Sequence, residues 1–234
     1  MIKRFYSVVA VAESEAGFII TLDGKPVRTP ARNALQAWSR ALAEAVAAEW
    51  ECQEQWIRPA TMPLTQLVST AIDRVSVDPA AIVEALMAYG ASDLLCYRAD
   101  MPEDLVLRQE AAWQPLVDWA AGALGVEMVV VTGVMPRPQP PASLDRLKNI
   151  IAAYDVPRLT ALQTVVAATG SLLLGVALLV GRVTAEETLA LAQLDETFQA
   201  EIWGVDDEAK QRWAGLQQEV KAAAQLLALC SSCS

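Results

Sequence analysis

The chain has 234 residues, 54% of them hydrophobic, and 18 Lys and Arg against 28 Asp and Glu, for a formal charge of −10. That is enough apolar material for one large domain or two small ones, while the acidic balance excludes a basic face for nucleic-acid phosphates and favours a cationic or basic partner surface. With no histidine anywhere, Ser-His-Asp and Cys-His nucleophiles, histidine zinc ligands and histidine proton shuttles are excluded too.

Residues 4–12 (RFYSVVAVA) are β-branched and aromatic and predict a strand, as do residues 17–22 (GFIITL). Asp23-Gly24 between apolar runs predicts a tight hairpin, because glycine accepts a positive φ without penalty. Residues 25–29 (KPVRT) then return as an edge strand marked by Pro26. Residues 35–53 change to helical spacing, with Leu35, Trp38, Leu42, Val46 and Trp50 on or near one face. Pro59 and Met62-Pro63 give a bent approach to a helix over 64–75 carrying Leu64, Leu67, Val68, Ala71, Ile72 and Val75. Asp78-Pro79 starts a helix that runs to Tyr97. A further helix over 104–124 turns Trp113 and Trp119 to the core. Residues 125–132 are extended, and residues 137–141 (RPQPP) form a linker.

Residues 165–180 (VVAATGSLLLGVALLV) are the most membrane-like stretch. A spanning helix needs about 20 apolar residues. This run is shorter and holds Thr169, Gly170, Ser171 and Gly175, so it reads as one central helix covered on all sides. Thr184-x-x-Glu187 is a capping box for a helix ending near Trp203-Gly204, where Trp203 reads as a packed anchor. A last helix covers 206–229. The fold class is α+β: a small antiparallel β-rich N-terminal domain over residues 1–78 and a larger helical domain over 79–234, with the 62–75 helix as the joint.

No sequence device for catalysis is apparent, and no catalytic, cofactor or metal residue is assigned. Cys52 and Cys96 read as buried small apolar residues. Cys230 and Cys233 form a C-x-x-C ahead of Ser234 alone, which reads as a frayed tail rather than a redox pair or half a zinc shell. No signal peptide is visible. A histidine-free hydrolase or lyase using Glu196 and Glu201 is the alternative to a protein whose chemistry is association.

Four segments, residues 3–6 (KRFY), 22–30 (LDGKPVRTP), 49–74 (EWECQEQWIRPATMPLTQLVSTAIDR) and 194–204 (LDETFQAEIWG), together resemble the mitochondrial and α-proteobacterial assembly chaperones for the alpha subunit of the ATP synthase catalytic head. The resemblance spans residues 3–215 and leaves the cysteine tail outside. It implies a chaperone with no nucleotide requirement, whose partner is the free alpha subunit; with the acidic charge and the short 165–180 run, the expectation is a monomer with no cofactor, no nucleic acid and no membrane span. Such a chaperone would shield an aggregation-prone interface until the beta subunit replaces it. The lack of a basic transit segment favours the bacterial cytoplasm, with the mitochondrial matrix as the expectation for a eukaryotic protein, and the resemblance raises Glu196, then Asp195, as partner-binding residues. Adjacent helix residues point about 100° apart, so the two do not form a carboxylate dyad. Trp50, which matches the family pattern, reads as core.

Overall fold

The apolar, β-branched runs in Val9–Ser14 (β2) and Gly17–Leu22 (β3) pair as an antiparallel ladder, from Val9 opposite Leu22 to Ser14 opposite Gly17. In this computed structural model, which describes residues 2–15, 17–133, 135 and 137–231, the Asp23-Gly24 turn has positive φ at both residues, 47° and 78°. It returns the chain as Lys25–Pro26 (β4) beside β3. Residues 4–8 lie outside any strand, contrary to the sequence reading. Their polar groups are drawn elsewhere. The Arg4 guanidinium donates to the Glu51 carbonyl at 3.0 Å, the Tyr6 hydroxyl donates to the Trp50 carbonyl at 2.7 Å, and the Asp23 carboxylate accepts the Val8 N–H at 2.8 Å. Two short strands are illegible from periodicity: Gln36–Ala37 (β5) pairs with β3, and Trp56–Ile57 (β6) with Ile2–Lys3 (β1).

The chain divides into two units. The first takes the described residues of Met1–Pro79, Asp155–Ala161 and Ala222–Ser234, and the second takes Ala80–Tyr154 and Leu162–Lys221. The first unit thus gathers two later segments that a boundary near residue 78 leaves out. Helix α1 (Arg40–Glu51) starts where Ser39 accepts the Leu42 N–H at 3.0 Å. The same hydroxyl donates to the Leu229 carbonyl at 2.7 Å, tying in the C-terminal segment. Residues 35–37 are lost from the expected helix because Leu35 and Ala37 are buried in the strand region. Helix α2 (Pro63–Thr70) runs into a wider π turn, Ala71–Val75, and buries Leu64, Leu67, Val68, Ala71 and Val75 as the spacing predicts, while Ile72, expected on the same face, is half-buried.

In the second unit, α3 (Pro79–Ala91) stops short of Tyr97. Asp93 ends it by accepting the Leu95 N–H at 3.1 Å, capping a 3₁₀ turn that leads to Tyr97–Arg98 (β7), which pairs in parallel with Val131–Thr132 (β8). By length and hydropathy Pro79–Cys96 could pass for a membrane span, but its helix ends within it and an acid follows. Helix α4 (Glu103–Trp119) buries Trp113 fully; Trp119 is half-buried. Pro141–Ala152 is α5. The 165–180 stretch is not one helix. It is divided between α6 (Val156–Thr169) and α7 (Leu172–Leu179), because Gly170 takes φ 71° and Ser171 caps α7 through the Leu174 N–H at 3.0 Å. Its burial does match the expectation: Leu172, Leu173, Leu174, Val176 and Ala177 have no exposure. Thr184 and Glu187 form the capping box of α8 (Ala185–Ala192), and a break at Gln193 separates it from α9 (Leu194–Trp203). Helix α10 is Asp207–Ser231. Of the cysteines, Cys96 is buried, its thiol pushed up to about 12 by desolvation, whereas Cys52 is exposed, contrary to the reading. Cys233 lies outside the described residues.

Candidate partner-binding site

Helix α9 buries only Phe198. Arg108 of α4 stacks over that ring at 5.1 Å and pairs with Glu201 at 2.8 Å. A hydrogen bond from Arg108 holds the Glu201 carboxyl below the usual range. This is the opposite of the raised, convergent acid that a Glu196–Glu201 hydrolase site requires. Asp195 is half-buried and accepts a hydrogen bond from Gln109 Nε2 at 2.7 Å. Glu196 faces solvent. Its Oε2 accepts the indole N–H of Trp213 at 2.6 Å, and its Oε1 lies 3.6 Å from Arg212. The two sequence-predicted residues therefore differ: Asp195 ties α9 to α4, and Glu196 presents an oriented carboxylate.

The end of α9 corrects one expectation. Trp203 is not a packed anchor but 84% exposed, and Ile202 beside it is 55% exposed. A sequence signal existed. Consecutive helix residues point apart, so a terminal Ile-Trp pair cannot both enter one core. A hollow of about 290 Å³ lies alongside, lined by Glu196, Trp203, Asp206 and Trp213. An exposed indole, an exposed isoleucine and a fixed carboxylate on one helix form the kind of surface that anchors protein contacts.

The first unit carries a larger concavity, a cleft of about 790 Å³ lined by Trp50, Ile57 and Met62, with Gln66, Arg28 and Arg74 at its edges. It is built from the 22–30 and 49–74 segments. Glu49, one residue before Trp50, accepts the backbone N–H groups of Leu64 and Thr65 at 2.7 and 2.8 Å and the Thr65 hydroxyl at 2.7 Å. It thereby supplies the cap that Met62 cannot give α2. Desolvation raises the Glu49 pKa against those three hydrogen bonds. Asp73 accepts from Thr29 Oγ1 at 2.7 Å, Asn33 Nδ2 at 2.9 Å and the Ala31 N–H at 2.9 Å, fixing the 29–33 loop. Burial opposes its charge, yet these donors hold its pKa below the ordinary value. The Thr65 hydroxyl thus leaves its own helix for Glu49, whereas Ser69 bonds within the helix, donating to the Thr65 carbonyl at 2.8 Å. Trp50 is half-buried rather than core, and its indole N–H is buried without a partner among the described residues.

The family model described as ATP12 chaperone protein matches residues 3–121. The mitochondrial protein atp12 of Schizosaccharomyces pombe is 23% identical over 219 residues, which cover 88% of this chain and 75% of that protein. The crystal structure of Atp12 from Paracoccus denitrificans superposes with a TM-score of 0.92 at 40% identity, over 97% of this chain and 98% of that one. A protein from Agrobacterium tumefaciens gives a TM-score of 0.92 at 44% identity, over 97% of this chain and 85% of the other.

Proposed function

The chain belongs to the ATP12 chaperone family, and from that premise we propose that it assists assembly of the ATP synthase catalytic head by holding the free alpha subunit until the beta subunit displaces it. The observation that carries this reading is the surface of α9, where the 84% exposed Trp203 lies beside the fixed carboxylate of Glu196. An indole is an effective hot-spot group, since it covers a large apolar area with little entropy to lose. A carboxylate whose position is set by its own fold confers register on a basic partner surface. Asp195 serves as the positioning residue behind it, through Gln109. Release needs no nucleotide if the alpha–beta interface is larger and tighter than the chaperone's own. The mitochondrial and bacterial relatives support a matrix location in a eukaryote or the cytoplasm in a bacterium.

The test mixes the purified full chain with isolated alpha subunit and follows light scattering and co-elution. Wild-type protein is expected to suppress aggregation and elute as a complex. Trp203→Ala and Glu196→Lys are each expected to weaken binding about tenfold or more with unchanged melting. Undiminished aggregation with no complex for the wild type would overturn the reading.

A further inference from the structure

The α9 surface leaves the cleft of the first unit without a role, although it encloses about 790 Å³ and is made of two segments that carry the family resemblance. Its lining is mainly apolar: Trp50, Ile57 and Met62, with Pro30 and Pro59. It also carries two open cations. Arg28 has no carboxylate partner among the described residues and gives one hydrogen bond, to the Arg32 carbonyl at 3.2 Å. The Arg74 side chain has no hydrogen bond or ion pair among those residues. In a chain of net charge −10, two arginines against one carboxylate in the lining, that of Asp73, whose oxygens are engaged by Thr29, Ala31 and Asn33, leave this apolar cleft with a local excess of positive charge, opposite to that of the molecule. Of the four hydroxyls in the lining, three are engaged: Thr29 donates to Asp73, Thr65 to Glu49 and Ser69 to a helix carbonyl. The lining is thus apolar with cationic edges, not a dense set of donors.

The walls are held by hydrogen bonds within the first unit. Glu49 fixes the start of α2 and Asp73 fixes the 29–33 loop. A preformed wall loses little entropy on binding. We propose that this cleft binds a short extended segment of the client, apolar along its length and carrying one carboxylate within reach of Arg28 or Arg74. This rests on the alpha-subunit chaperone reading above and adds to it a second contact of opposite charge: an acidic client segment here, a basic client surface at α9. Two modest contacts on one client give joint affinity beyond either alone.

The experiment uses the full chain and isolated alpha subunit. A photo-crosslinking p-benzoylphenylalanine at Gln66, an exposed residue on the cleft, is irradiated in the complex, and the captured client peptide is identified by mass spectrometry. In parallel, Kd is measured for the double variant Arg28→Glu, Arg74→Glu. A single captured segment with apolar residues and an Asp or Glu is expected. The double variant should weaken binding about tenfold with its melting temperature kept, and charge reversal of the captured acid should restore part of the loss. No capture, a segment without an acid, or an unchanged Kd would overturn the proposal while the wild type's protection of the alpha subunit leaves the chaperone reading standing. Wild-type protein that does not bind alpha subunit would instead remove that reading first. Sodium acetate displacing the client better than sodium chloride at equal ionic strength would mark a small-anion site and also overturn the proposal.

Discussion

Glu49-Trp50 and Glu196 with Trp203 are built from the same residue types, yet the fold uses them in opposite ways. Glu49 is consumed by three donors of α2, and Trp50 is half-buried with its N–H enclosed. Glu196 is exposed and held by Trp213 and Arg212, and Trp203 is almost bare. What separates them is whether the acceptor lone pairs are filled by the protein's own backbone. A carboxylate filled by backbone N–H groups is scaffold, and its removal strands those donors. A carboxylate positioned by side chains at the surface retains lone pairs for a partner. The comparison therefore sorts the acids by the effect of deleting them.

The largest effect belongs to Asp93, which lies at the extreme of the scaffold class. It is fully buried and accepts from Ser171 Oγ at 2.7 Å, Leu173 N at 2.9 Å and Leu95 N at 3.1 Å. Burial raises its pKa from 3.8 to about 6 despite these donors. Asp93→Ala is expected to cost roughly 3 kcal/mol in urea unfolding at pH 7. Because the folded pKa is the higher one, the group's contribution is full below pH 3.8 and is lost as pH rises through about 6. The Ala penalty should therefore be greater at pH 4.5 than at pH 7. A penalty that grows with pH would break the assignment.

Glu49→Ala comes next, at roughly 2 kcal/mol, since two N–H groups at the start of α2 lose their cap. Its melting temperature should fall while far-ultraviolet circular dichroism stays native. A loss of client binding without a loss of stability would erase the contrast with Glu196.

Much of this division was hidden in the sequence. The β2–β3 hairpin, the apolar faces of α1 and α2 and the Thr184 capping box follow from local rules: β-branched and aromatic runs, helical spacing and a four-residue pattern. The strands at Gln36–Ala37 and Trp56–Ile57 do not, because two residues carry no period and their pairing partners lie 17 or more positions away. Glu49 had one legible cue. Met62-Pro63 begins a helix with no side chain able to cap it, which calls for an acceptor from elsewhere. Nothing local says that the acceptor is Glu49. Glu196 was singled out through the family-like segment 194–204, but Arg212 and Trp213, which hold it, sit in the following helix. The break at Gly170 was present as a glycine beside a capping serine, and the unbroken hydrophobicity masked it.

Asp73→Ala is expected to cost about 1 kcal/mol, because its donors are partly solvated and water replaces some of the bonds. Its pH dependence runs opposite to that of Asp93. With a folded pKa below 3.8, its contribution is present above that value and is lost as pH falls through the folded pKa. The Asp73→Ala penalty should therefore be constant from pH 5 to 7 and shrink under stronger acid. Two aspartates in one chain with opposite slopes, measured by the same unfolding series, would sharpen the distinction between burial and donor count.

The smallest effect on stability should come from Trp203→Ala, within about 0.5 kcal/mol, since an 84% exposed ring contributes little to the fold. That makes it the most discriminating variant. A large aromatic is ordinarily retained for packing, and here packing supplies almost none of the reason. If melting is unchanged and alpha-subunit protection is lost, the α9 surface works as a contact. If melting falls by several degrees, Trp203 belongs with Trp50 in the scaffold and the contrast between the two regions fails.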